Sequence, residues 1–205
     1  MSTPTRRRDA IANREALLDA AARLLRQDPH VSLDTIATAA GLTRRSVYGH
    51  FSSRGDLLAA LLDRGSRQIA EALDGVRDDD PAVHLALLGV AIWRAIADVK
   101  LIVRLLVSEP LETRVDEAIA PVRASLREVI ERGAADGAFR SDIVPTTLSR
   151  VIEQAALGVL DIAVERRMPD EEAQRMLSAT TLGIAGMSWR DAQLAFDRAR
   201  AGVRA

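Results

Sequence analysis

Arg44, Arg45, Ser46, Tyr48 and His50 place two guanidiniums, a hydroxyl, a phenol and an imidazole within seven residues, flanked by Ser32, Thr43 and Arg54. A guanidinium presents paired N–H donors that match phosphate oxygens or a guanine edge, and hydroxyl, phenol and imidazole groups add single donors. This chemistry recognises a polyanion rather than turning over a substrate. Elsewhere catalytic constellations are missing. His30, His50 and His84 are far apart, with no His-x-x-x-His or Glu-x-x-His spacing for a metal. Without cysteine there is no thiolate nucleophile, disulfide or cysteine-type zinc site. Glycine loops of the phosphate- or dinucleotide-binding kind and a nucleophile elbow are also lacking. The expectation is a protein that is not an enzyme and holds no metal or cofactor.

Two short helices about a tight turn must position these residues. Leu33, Ile36, Ala37 and Ala40 recur at i, i+3, i+4 and i+7, an apolar helical face that Ser32 can cap. Gly41 ends it, because glycine tolerates the left-handed turn at a helix terminus. Thr43 caps the second helix, which has Val47 and Phe51 as inward anchors. At about 100° per residue, Arg45, Tyr48 and Gly49 point away from Val47, with Arg44 at the margin. Ahead of the pair, Asp9 to about Gln27 reads as a helix, stopped by Asp28-Pro29. Behind it, Ser53 and Asp56 form a capping-box arrangement opening a helix to about Leu73. Arg6, Arg7 and Arg8 read as a basic arm or a solvated tail.

The run Thr35-Ile36-Ala37, Ala40-Gly41-Leu42, Val47-Tyr48, His50-Phe51, Arg54 and Leu57 resembles the DNA-binding signature of the TetR (tetracycline-repressor-like) transcriptional regulators. A second stretch, Asp136-Gly137-Ala138-Phe139-Arg140-Ser141-Asp142, is similar to a structural motif of that family and extends the resemblance to about residue 187. The resemblance implies an all-α chain: an N-terminal three-helix helix-turn-helix unit over 1–54, a connecting helix over 55–74, and a C-terminal helical ligand-binding and dimerisation domain over 81–205. It further implies a sequence-specific DNA-binding regulator, a repressor released from a palindromic double-stranded operator by a small-molecule effector. Arg44 and Arg45 are then the expected base readers. Ser32, Thr43, Ser46, Tyr48, His50 and Arg54 are the expected phosphate contacts, Arg54 standing where the family usually has lysine. The family often has a larger residue where this chain has Gly49. A non-specific DNA-architectural or helical scaffold protein is the alternative.

Asp74 to Pro81 is the clearest break in the chain. Beyond it prolines punctuate helices over 82–100, 101–108, 111–120, 121–136, 146–167 and 170–187, with a short helix from Ser188 containing Trp189, Leu194 and Phe196. Val151, Ala155, Val159 and Ile162 on one helix, and Met176, Thr180 and Ile184 on the next, sit among small residues that let helix axes approach closely. They are either intramolecular core or a homodimer interface, and the resemblance favours the dimer. The same resemblance implies an effector pocket, for which Trp93, Leu105, Glu153, Gln154 and Leu157 are candidates.

Composition agrees with this division. Of 205 residues, 48% are hydrophobic and only 3% aromatic, as in a helical globular protein. The net charge of −1 is divided: residues 1–54 hold nine arginines against five acids, so the rest carries the opposite excess. No apolar run approaches the roughly 18 residues of a membrane span, nor does a hydrophobic segment follow the N-terminal arginines. With no cysteine, a cytoplasmic setting is expected.

Overall fold

The computed structural model describes residues 4–25, 27–95, 117 and 119–204. Among them are nine helices: α1 (Pro4–Leu25), α2 (Leu33–Ala39), α3 (Arg44–His50), α4 (Arg54–Leu73), α5 (Pro81–Ala95), α6 (Ala120–Ala135), α7 (Pro145–Glu165), α8 (Asp170–Ile184) and α9 (Trp189–Arg204). The expected all-α class is what the chain adopts. The helix expected over 101–108 lies outside the described residues, as does the one expected over 111–120 except for residues 117, 119 and 120, the last of which begins α6. Two compact units result, one taking the residues up to Gly65 and the other those from Ser66 through α5 and from Ile119 onward.

In the first unit α1, α2 and α3 pack on one another around a core of Leu17, Leu18, Leu25, Ile36, Val47 and Phe51. Leu57, Leu58, Leu61 and Leu62 of α4 close that core, because they repeat at helical spacing along one face. Arg64 ties α4 to α1 by donating to Asp19 at 2.6 Å. α1 starts at Pro4 rather than Asp9. Proline suits the first helical position, where its missing N–H is no loss, and no breaker follows it. Arg6, Arg7 and Arg8 therefore lie within the helix and do not form a separate arm.

The second unit is organised on α5, which packs against α6, α8 and α9. This helix is apolar on nearly every side, the mark of a central element; Val83, Leu85, Ala86, Leu88, Val90 and Trp93 are all buried. Its start is set by Asp80, whose carboxylate accepts from the N–H groups of Ala82 (2.9 Å) and Val83 (3.4 Å), just ahead of Pro81. Burial alone would raise the Asp80 carboxyl, but Arg198 at 2.6 Å and those two N–H groups hold it below the usual carboxylate range. After α6, the Phe139 ring lies against Gly133, where a Cβ would come within 2.1 Å of it. Only glycine permits that contact. α9 runs for 16 residues and buries Ala192, Ala195, Phe196 and Ala199, while Trp189 and Leu194 stay exposed.

His84 of α5 is buried with Nδ1 2.8 Å from Nη2 of Arg132, which also donates to the Asp78 carbonyl at 2.7 Å. Arginine has no acceptor, so Nδ1 must accept and the imidazole must be neutral. Burial first, then the Arg132 charge, pushes the His84 pKa below 6.5. Arg77 lies nearby as well and Glu128 only partly offsets these charges. The unfolded chain therefore takes up a proton that the folded chain refuses, so His84 removes stability as pH falls below 6.5. We expect the urea midpoint to drop more between pH 7.5 and 5.5 in the wild type than in His84→Asn, whose amide oxygen can still accept from Arg132. Equal drops would show that His84 is not responsible.

Candidate nucleic-acid interface

The turn between α2 and α3 is built from local hydrogen bonds. Ser32 caps α2 by accepting from the Thr35 N–H at 3.1 Å, and Thr43 caps α3 by accepting from the Ser46 N–H at 3.2 Å. Gly41, at φ +70°, reverses the chain. Its N–H donates to Thr38 and that of Leu42 to Ala37, which satisfies the last carbonyls of α2. Both capping hydroxyls are thereby used within the turn, although Ser32 and Thr43 are exposed residues.

Helix α3 is held by two apolar residues and shows the rest to solvent. Val47 is fully buried and Phe51 nearly so, whereas Thr43, Arg44, Arg45, Tyr48 and Gly49 are exposed and Ser46 and His50 half-buried. Arg14 stacks over Phe51, 5.4 Å from the ring centre. The two candidate base readers differ. Arg44 pairs with Asp34 at 3.0 Å and lies over the Tyr48 ring at 5.5 Å, so its position is prepared by its neighbours. Arg45 has no ion pair among the described residues and is free to reach outward. A Cβ on Gly49 would meet nothing within 4 Å, so this helix surface is open backbone.

Arg54 departs from the expected arrangement. Its guanidinium donates to the carbonyls of Val31, at 2.8 Å, and Pro29, clamping the α1–α2 loop to the start of α4. A phosphate there would have to compete with two carbonyls already satisfied. Next to it, Ser53 caps α4 by accepting from the Asp56 N–H at 3.1 Å, and Asp56 reaches back to Ser52. The Ser52 hydroxyl in particular holds the Asp56 carboxyl below its usual range. A cleft of about 410 Å³ beside the C-terminal half of α3 is lined by Tyr48, His50 and Arg14, but also by Asp56 and Asp63. Positive charge thus gathers at the Arg44–Arg45 end of α3, and carboxylates gather at the His50 end.

The other expected site residues lie in the second unit, and the structure divides them differently. Trp93 is buried, its Nε1 donating to Asp170 at 3.0 Å. Glu153 is buried elsewhere, between Arg123 and Arg150. Gln154 and Leu157 are exposed on α7, and Leu105 lies outside the described residues. No cavity among those described brings the pocket candidates together. Of the interface candidates, Val151 and Ile162 are exposed, while Ala155, Met176, Thr180 and Ile184 are half-buried. Val159 is core, packed with Trp93, Leu160, Ala163, Ala173 and Leu177. Leu157, absent from the expected interface, shares the exposed side of α7 with Gly158; a helix with two apolar sides does not reveal from its sequence which one faces inward.

Gly49 offers a direct probe of the surface. Gly49→Ala should raise fold stability by about 0.5–1 kcal/mol, the usual helix preference for alanine over glycine, since its Cβ meets no atom. If DNA uses the bare backbone, affinity for an operator selected from random DNA should fall even as the thermal midpoint rises. Unchanged affinity would place Gly49 outside the contact.

Residues 17–61 match the model of the bacterial regulatory proteins of the tetR family. Solved structures share the fold of most of the chain. SmeT, the repressor of the Stenotrophomonas maltophilia multidrug efflux pump SmeDEF, is 21% identical over 83% of this chain and 88% of its own, with a TM-score of 0.64. FadR, a fatty acid degradation regulator from Bacillus halodurans, is 16% identical over 91% and 97%, with a TM-score of 0.72. RolR in complex with resorcinol is 18% identical over 93% and 96%, with a TM-score of 0.60. A search of curated proteins finds no match. Residues 17–61 are thus similar to the tetR family of bacterial regulatory proteins, and most of the chain shares the fold of these solved structures.

Proposed function

We propose that the protein is a homodimeric repressor that binds a palindromic operator and leaves it when a small molecule binds. The observation that carries this is the division of α3: Val47 and Phe51 anchor it in the core, and Arg45, Tyr48 and Gly49 face solvent. A helix so presented fits the major groove, its N-terminal residues nearest the bases. Arg45 takes the reading role with Arg44 beside it, each suited to guanine O6 and N7. Thr43, Ser46, Tyr48 and Ser32 set register on phosphates. His50 does so less well beside Asp56, and Arg54 serves by fixing the α1–α2 loop. The working division is a DNA-binding unit over 1–54, a connecting helix over 55–74 and an effector and dimer body over 81–205.

Dimerisation is supported by the stripe Val151, Ala155, Gly158 and Ile162 on α7. These residues recur at i, i+4, i+7 and i+11, and Val151 (46%) and Ile162 (44%) are solvent-exposed in the single chain. On α8, Met176, Thr180 and Gly183 make a second stripe of the same small-residue kind. Two such helices from each subunit would form a four-helix bundle and bring two α3 helices to successive major grooves, one DNA turn apart. The repressor sign follows SmeT, and effector binding follows RolR, whose structure holds resorcinol. An effector acts only through different affinities for two states, here transmitted along α4.

Selection of bound sequences from random DNA tests the reading. The wild type should enrich an inverted repeat. Arg45→Ala should weaken binding to it by about 1–3 kcal/mol and lose preference at one position per half-site. An equal loss on matched and mismatched sites would contradict base reading by Arg45.

A further inference from the structure

α6 and α7 face each other with two matching stripes that no DNA-binding or dimer role uses. On α6 these are Arg123, Leu126 and Arg127, at i, i+3 and i+4. On α7 they are Thr146, Ser149, Arg150 and Glu153, at i, i+3, i+4 and i+7. Together they line a cavity of about 270 Å³.

One carboxylate sits among three guanidiniums. Glu153 is 8% exposed and accepts from Arg123 Nε at 3.0 and 3.1 Å and from Arg150 Nη1 at 2.9 and 3.0 Å. Both oxygens are engaged twice, so its capacity as an acceptor is filled. Arg123 and Arg150 share its single negative charge. Arg127 has no ion pair among the described residues, and Arg150 commits only Nη1 to Glu153. The walls therefore carry an uncompensated positive charge on Arg127 and Arg150, both of them exposed to solvent. Thr146 adds a hydroxyl at the first turn of α7, whose N-cap, Val144, provides no side-chain cap; that end of the helix also favours negative charge.

We propose that this cavity binds a small oxyanion, a carboxylate or a phosphate, between Arg127 and Arg150, with Glu153 holding Arg123 and Arg150 in place. The volume of about 270 Å³ admits a compact anion. If the anion is the effector, the site supplies the chemical class that the proposed function leaves open; that consequence rests on the effector reading, and the binding itself does not.

Calorimetric titration of the full chain with succinate, inorganic phosphate and the neutral succinamide, in a phosphate-free buffer at constant ionic strength, tests the site. Saturable binding of succinate or phosphate is expected, with none of succinamide; which anion binds identifies the source. Arg127→Gln, which breaks no ion pair among the described residues, should weaken it at least tenfold while the thermal midpoint without ligand stays near wild type; Arg150→Gln should weaken it as much and also lower the midpoint, because the buried Glu153 loses a partner. No saturable anion binding, equal binding of succinamide, or unchanged affinity in Arg127→Gln would overturn the proposal. Operator affinity measured with and without the bound anion is a separate readout: anion binding without an effect on DNA would contradict the effector reading and leave the site standing.

Discussion

Much of the structure's functional sense depends on the burial of Val47 and Phe51. A seven-residue helix is too short to hold itself together in water, so α3 exists because these two side chains leave water for a core already formed by α1, α2 and α4. Burying a residue of this kind contributes about 1.5–3 kcal/mol, against a cost of ordering the short helix and its turn. With the two anchors fixed, helical geometry dictates that Arg45, Tyr48 and Gly49 face out. The polar face is thus set by the apolar one, and the capping bonds of Ser32 and Thr43 set where each helix begins.

The arginines divide into those that build and those that remain available. Arg54 clamps two loop carbonyls, Arg64 ties α4 to α1, Arg14 covers Phe51 and Arg132 holds His84 neutral. Arg45 has no such task among the described residues, and Arg127 has no ion pair there. This is a more useful guide to function than charge alone. Surface ion pairs contribute little to stability, so an arginine left without one is free for a ligand at little cost to the fold.

What the sequence revealed follows the range of the interactions. Ser32, Gly41, Thr43 and Ser53 act on neighbours three to five residues away, and their roles were legible from spacing. The buried faces of α2 and α3 were legible for the same reason. Arg54 was not, because its partners lie 23 and 25 residues upstream and only the fold brings them near. Likewise the pairing of Arg44 with Asp34 bridges two helices. On α7, small and apolar residues on both sides did not reveal that Val159 packs in the core and Leu157 faces solvent in the single chain. The cavity between α6 and α7 needs two helices to face each other, and no single stretch of sequence displays it.

The central claim is that α3, held by Val47 and Phe51, is the surface that meets DNA. Amide hydrogen exchange of the whole protein, with and without its selected operator, tests this most directly. The account predicts that DNA-dependent slowing is concentrated in residues 32–54 and strongest from Thr43 to His50. Protection spread evenly along the chain, or centred on α6 to α9 with α3 unchanged, would contradict it.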